Sequence, residues 1–492
     1  MEVTSFVPAL AVAIPAIASI LILVFRHNES IREGWTIIAS FATLATVLSL
    51  LPSVLSGNEP GFTLLEILPG LSISFRADAF ALIFALTSSS LWVMNSFYSI
   101  GYMRAHKEHG LTRYFFCFAV AISAALGIAF SADLLTMFIF YETLTLSTYP
   151  LVVHAETEDA RRAGRKYIAY LLTAGIFFLF SVLVTYFLTG GTAFLPGGIL
   201  TGHGSGALLT LLFITFLIGF AKAAWMPLHS WLPTAMIAPT PVSALLHAVA
   251  VVKAGVFGIA RVAFYIFGID LLSVLGLGLL LGIIASFTII VASMMALTQD
   301  NLKKRLAYST ISQLSYILLG IALLTPSGII AAMIHIPFHA FMKITLFFAA
   351  GSVIIMTGIE NISEMKGIGR QMPLTMLMFA IGAIGICGLP PVCGIITKWY
   401  LALGAIEAHQ MLFLLVIISS SILNVLYFMP IIYTAFFEKP AEDRGIREAP
   451  LFMLVPLCIT GIGSVLLFFF PDWPFMSLVK IAAGVITGEV FP

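Results

Sequence analysis

Residues Gly219–Pro233 read GFAKAAWMPLHSWLP, and Ile386–Tyr400 read ICGLPPVCGIITKWY. Each is part of a long apolar run, and each combines proline with a lysine. Lys222 precedes Pro227 by five residues, and Lys398 follows Pro390 and Pro391 by eight and seven. Proline removes a backbone donor and clashes with the preceding turn, so each helix is expected to break there. Within a bilayer, freed backbone groups persist only beside protein or water. A broken helix with a lysine next to the break therefore predicts a polar interior within a membrane protein.

The rest of the chain agrees. Of 492 residues, 60% are hydrophobic and 10% charged, against about 25% charged in soluble domains. A net charge of +1 gives no electrostatic reason for a nucleic-acid partner. Apolar segments near twenty residues fall at 3–25, 35–55, 77–102, 114–131, 133–153, 166–189, 206–230, 240–265, 271–297, 307–324, 328–357, 374–404, 411–436 and 451–470. They are numbered 1 to 14 below. The expected fold is an all-α polytopic membrane protein of about fourteen transmembrane helices. Segment 1 lacks a basic leader and a small-residue cleavage site, and is expected to stay as a helix. The tail 474–487 is mildly amphipathic and is expected to lie in the interface. The connections 56–76 and 190–205 read as Gly-containing, apolar loops.

Cations test the count. Loops after odd-numbered segments hold Arg26, Arg32, Arg104, Lys107, Arg113, Arg161, Arg162, Arg165, Lys166, Lys303, Lys304, Arg305, Lys366, Arg370, Lys439, Arg444 and Arg447, which is 17 of the 24 Lys and Arg. Loops after even-numbered segments hold only Arg76. The positive-inside rule makes the odd loops cytoplasmic and puts both termini outside a cell (inner) membrane. The breaks in segments 7 and 12 are five segments apart, so those helices run in opposite directions. That predicts two inverted five-helix repeats, segments 4–8 (114–268) against 9–13 (271–436). They are flanked by 1–103 and 451–492 within one membrane domain.

Lys480 lies in the tail; the other five cations, Lys222, Lys253, Arg261, Lys343 and Lys398, and Glu142 fall inside segments, where a charge at depth costs about 2.5–3.5 kcal/mol on insertion scales and usually marks an ion or proton route. Glu142 is central in segment 5, and Lys222 is its expected ion-pair partner. Lys253 is central in segment 8, six residues after His247. In segment 11, His335, His339 and Lys343 follow at i, i+4 and i+8, on one helix face. Burial disfavours the ammonium form and lets a lysine load and release protons, while histidine titrates near neutrality unaided. Lys398 would be a terminal exchange site. His229, at the end of the segment 7 break, is placed between loop structure and an access route from the cytoplasm. Arg261 is expected to snorkel to the interface, Asp78 to pair locally with Arg76, and Asp133 to cap segment 5.

Metal and redox chemistry find no support in the residues. The HxxxH of segment 11 has no third ligand, so no metal is expected. The four cysteines, Cys117, Cys387, Cys393 and Cys458, form no CxxC pair. GxGxxG and Walker loops are missing, so no cofactor is expected in this chain and electron transfer would belong to partners.

Four motifs carry a resemblance: APTPVSALLHAVAVVKAG (Ala238–Gly255), QDNLKKRLAYSTISQLSY (Gln299–Tyr316), HAFMKITLFFAAGSVI (His339–Ile354) and GLPPVCGIITKWY (Gly388–Tyr400). The chain resembles the antiporter-like membrane subunits shared by Mrp-type multisubunit cation/proton antiporters, respiratory complex I and membrane-bound hydrogenases. The resemblance covers about segments 3–13. It implies a pair of Glu142 with Lys222 that tunes proton affinity, a central Lys253, relay residues His335 and His339, and Lys398 at the exit. It implies lateral membrane subunits as partners and H+, with Na+ in exchange, as cargo. The alternatives are a proton-pumping subunit of a redox-driven complex and a stand-alone secondary transporter; a third is a structural anchor for a redox module.

Overall fold

The computed structural model describes residues 2–440 and 445–491; Arg444, counted among the cytoplasmic cations, lies outside them. Helix dominates. Among the described residues, eleven helices are long and apolar enough to cross a membrane. Segments 5, 7 and 12 are the three expected crossings outside that set. Segment 5 forms one helix, Leu134–Val152, but Glu142 and a run of Thr and Ser lower its hydropathy. Segments 7 and 12 break, leaving Gly206–Gly219, Pro373–Cys387 and Gly394–Glu407 as pieces of 14 or 15 residues. Fourteen is the count only if these three also cross.

The helices divide into a centre and a shell. Segment 8 (Thr240–Phe267) is 100% buried over its most apolar window and segment 10 (Leu302–Leu323) 94%. Segments 1, 2, 6, 9, 13 and 14 are only 33–44% buried and turn large side chains such as Ile176, Phe187 and Leu412 outward. Lipid accepts these as readily as a core does, so shell helices need only one packed face. Segments 8 and 11, which carry two lysines and three histidines between them in the centre, are enclosed by protein.

Several expectations change. The 56–76 connection is not a plain loop: β1 (Glu2–Thr4) pairs in parallel with β2 (Glu59–Leu68), which pairs antiparallel with β3 (Leu71–Arg76). Pro69-Gly70 makes the hairpin turn, with Gly70 at φ +76°, a pairing of proline and positive-φ glycine suited to a tight turn. Segment 1 accordingly starts only at Val7. Arg261 does not snorkel. It is buried, and its guanidinium grips Asp78 through Nη1–Oδ2 (2.6 Å) and Nη2–Oδ1 (2.8 Å). Asp78 is therefore not paired locally with Arg76, which instead faces Glu59 (3.7 Å) and donates to the Phe194 carbonyl. Arg261 meets Asp78 with both arms of its fork, while the Arg76 guanidinium is taken up by the Phe194 carbonyl and Glu59. Lys303, counted with the loop cations, is also buried and donates to the Ala238 carbonyl (2.6 Å). The tail forms a helix, Ser477–Thr487, whose Leu478, Val479, Ala482 and Ile486 are buried against segments 3 and 11. Asp133 caps segment 5 as expected, accepting from Thr136 N (2.8 Å).

Candidate functional site: two helix breaks and a buried Lys–His axis

At the first break the helix stops at Phe220, passes through a single tight turn, Ala221–Ala223, and reverses hand at Ala224 (φ +54°). Side chains satisfy the freed backbone. Trp225 Nε1 donates to the Leu217 carbonyl (3.0 Å), Trp231 Nε1 to Ala221 (3.2 Å), and Met226 N to Thr288 Oγ1 (3.0 Å). Lys222 is buried at this turn. Its ammonium donates to the Tyr141 carbonyl and lies 3.2 Å from the centre of the Tyr141 ring. Glu142 follows Tyr141 directly, yet neither of its oxygens accepts a hydrogen bond, and its carboxylate packs against Gly175 of segment 6. The expected ion pair is thus not a contact: a carbonyl and a ring face hold Lys222.

Segment 8 packs directly on this turn. A Cβ on Gly255 would overlap the Ala223 amide, so only glycine allows the approach. Upstream, Leu245–Val249 widens into a π-turn that contains His247, and Ser88 Oγ reaches its Val249 carbonyl (2.9 Å). Such bulges are frequent at functional sites. His247 itself makes no hydrogen bond and lies against Phe347, 4.8 Å between ring centres.

Lys253 Nζ lies 2.7 Å from His339 Nδ1, joining segments 8 and 11. His335 follows at 5.4 Å between ring centres, and Tyr316 sits 5.9 Å beyond it. Lys343 leaves this line. Its ammonium donates to Ser309 Oγ (2.8 Å), and Ser309 is bonded to the Tyr427 hydroxyl (3.0 Å). Tyr427 donates to Asn424 Oδ1 (2.6 Å), and Asn424 Nδ2 to the Ile386 carbonyl (3.1 Å). That carbonyl belongs to the second break. The next one, Cys387, accepts from Lys398 Nζ (2.7 Å), which also reaches Ser421 Oγ (3.0 Å). Gly388 (φ +80°) leaves room for the lysine stem. In both breaks, then, a buried lysine donates to a backbone carbonyl, its own segment's in one case and a neighbour's in the other.

Of the residues read from the sequence, the structure brings Lys253, His335 and His339 together, and ties Lys343 to the second break near Lys398. It sets Glu142 next to the residue that holds Lys222 but without a bond between them, and leaves His247 unbonded against Phe347. His229 is half-buried, 6.5 Å from Tyr308 between ring centres. Its neighbours Ser230 and Tyr308 line a cleft of about 780 Å³ with Asp159, Arg162, Lys166 and Glu360. Sequence reasoning missed Tyr141, Ser309, Tyr316, Asn424 and Tyr427. The signal was present in segment 10, where YSTISQLSY is polar in the middle of an otherwise apolar chain, and in Asn424 of segment 13.

A multi-pass membrane protein with two broken helices around buried lysines and histidines defines a class of membrane subunit. Residues 131–424 match the family described as NADH:quinone oxidoreductase/Mrp antiporter, TM, and the chain belongs to that family. It is 30% identical over 501 residues to NADH-quinone oxidoreductase subunit N of Desulforudis audaxviator (strain MP104C), spanning 97% of this chain and 99% of that one. It is 28% identical to Na(+)/H(+) antiporter subunit A1 of Staphylococcus haemolyticus (strain JCSC1435), over 97% of this chain and 63% of that one. Among solved structures, a chain of the membrane-bound sulfane sulfur reductase, an archaeal respiratory membrane complex, matches at TM-score 0.88 and 26% identity over 98% of both chains. A chain of the Mrp complex from Dietzia sp. DQ12-45-1b matches in fold, with TM-score 0.84 and 20% identity.

Proposed function

We propose that this chain moves protons across a cell (inner) membrane as an antiporter-like subunit of a multisubunit complex, with Na+ exchange as the finer reading. The observation that carries it is the 2.7 Å bond between Lys253 and His339 in the enclosed centre of the protein. Two basic nitrogens can share a hydrogen bond only while one of them keeps a lone pair, so either the His339 Nδ1 or the Lys253 amine is without its extra proton. A second proton would charge both groups, and in a low dielectric they would repel. The pair therefore holds or passes on a proton according to its neighbours. Glu142 and Lys222 lie on one side of it; on the other are His335, Lys343 and Lys398. The buried ring nitrogens of His335 and His247 make no hydrogen bond to the protein, so they are free to take part in a proton route, and the charged cleft beside His229 suits access from the cytoplasm. In this reading segments 4–8 and 9–13 are the inverted repeats, both termini face outward, and lateral membrane subunits adjoin the breaks. No cofactor belongs to this chain.

The test is proton movement into vesicles carrying the native assembly. Lys253→Met should abolish it while the subunit still assembles; unchanged movement would remove the reading. A second reading, redox-driven pumping, is favoured by the end-to-end match to a quinone oxidoreductase subunit. Mass spectrometry of the native assembly separates the two. Iron–sulfur, flavin or nickel subunits would indicate a redox pump, and only small hydrophobic partners a gradient-driven antiporter. A chain purified alone would return the stand-alone transporter.

A further inference from the structure

Away from the buried axis, three histidines and two glutamates meet where the loop after segment 3 touches the end of segment 5. Segment 3 ends at His106, and Lys107 turns left-handed (φ 53°) to start the loop. Glu108 then spreads its two oxygens. Oε1 takes a hydrogen bond with His106 Nδ1 (3.0 Å). Oε2 accepts none; it lies 3.6 Å from His154 Nε2 and 3.9 Å from His109 Nδ1. His154 is fully buried, yet neither of its ring nitrogens has a hydrogen-bond partner. A buried polar group left in that state costs about 1–3 kcal/mol, which is a reason to look for what it serves.

We propose that Glu108, His109 and His154 form a site for one divalent transition-metal ion of the zinc type. One ligand atom from each lies within 4.8 Å of the others. In a tetrahedral zinc site with bonds near 2.1 Å, ligand atoms stand about 3.4 Å apart. The Glu108–His154 separation of 3.6 Å already approaches that, and exposed His109 needs only a side-chain adjustment. Two imidazoles and one carboxylate suit zinc and its neighbours, whereas calcium and magnesium prefer oxygen ligands throughout. The local charges permit a cation: Glu108 and Glu156 are acidic, and Arg113 is occupied by Glu156 and by the His154 carbonyl (3.2 Å). His109 Nε2 also lies 4.0 Å from Glu156 Oε1, and the remaining coordination position is left to solvent. A bound ion would staple the segment 3–4 loop to the end of segment 5, the helix that carries Glu142.

The test titrates the purified full-length chain, stripped with a chelator, with Zn2+ in a calorimeter and with Co2+ in a spectrophotometer. One Zn2+ per chain is expected, together with the visible bands of tetrahedral Co2+. His109→Ala and Glu108→Gln should each weaken zinc at least about tenfold. His109 is exposed, so its replacement leaves the fold intact; His154→Gln adds a third reading where its melting curve matches the parent. Weak or unsaturable zinc, octahedral cobalt spectra, or equal affinity in His109→Ala and Glu108→Gln would each overturn the site.

Discussion

Replacing Arg261 with methionine tests whether the Asp78–Arg261 pair is a buried clamp or an interface decoration. Methionine keeps most of the volume among Phe80, Phe194, Phe257 and Tyr265, whose ring centres lie 4.7–5.5 Å from the guanidinium carbon. It removes both donors to Asp78, leaving that carboxylate buried with only the Ala81 amide (2.7 Å). Breaking one side of a buried pair costs about 3–5 kcal/mol, because the other charge is stranded. Asp78→Asn keeps the helix cap but strands the guanidinium, and should cost a similar amount. The double change removes both charges and should cost far less than the sum, giving a coupling of at least about 2 kcal/mol. Equilibrium unfolding in mixed micelles, followed by fluorescence of the six tryptophans, measures all four corners of the cycle. An arginine that merely snorkels would cost under about 0.5 kcal/mol when replaced. If Arg261→Met costs that little, or if the two single costs add, the clamp reasoning is wrong.

Three further outcomes follow from the site. Tyr427→Phe cuts the bonds linking Ser309 and Asn424 while keeping the ring; it should cost about 1–2 kcal/mol of stability and slow proton movement in assembled vesicles, and full-rate movement would exclude the Lys343–Ser309–Tyr427–Asn424 line as a route. Lys398→Met leaves the Cys387 carbonyl without its lysine donor, so unfolding should become easier by about 1–3 kcal/mol; a neutral result would mean that the second break does not depend on that bond. Gly255→Val drives a side chain into the Lys222–Ala223 backbone, and destabilisation of about 1–3 kcal/mol or more is expected from the same unfolding titration, with no effect counting against close packing of segment 8 on the first break.

Much of the architecture was legible because the bilayer imposes simple rules. Twenty apolar residues make a crossing, and cations sort by side, so segment positions and a polar interior could be read without contacts. The breaks were legible too, since proline acts through its own covalent geometry. Less was readable where a polar side chain had several possible partners. Arg261 near a helix end looks like a snorkelling residue; only the approach of segment 3 puts Asp78 within bidentate reach. Glu142 and Lys222 look like a pair, but Tyr141 offers a carbonyl and a ring face closer to hand. The hairpin around Pro69-Gly70 was passed over because its alternation is short and sits among long helices.

The sequence by itself determined the membrane class, the helix breaks at Pro227 and Pro390–Pro391, and that Glu142, Lys222, Lys253, Lys343 and Lys398 fall inside apolar segments. These follow from local chemistry: hydropathy, a missing backbone donor and the cost of a charge in hydrocarbon. Only the tertiary structure decided which groups meet: Lys253 with His339, Lys343 with Ser309, Lys398 with the Cys387 carbonyl, Arg261 with Asp78. Each joins residues from 11 to 183 positions apart in the chain. Hydrogen bonds act over about 3 Å, so their partners are set by how helices pack and not by the residues' own preferences.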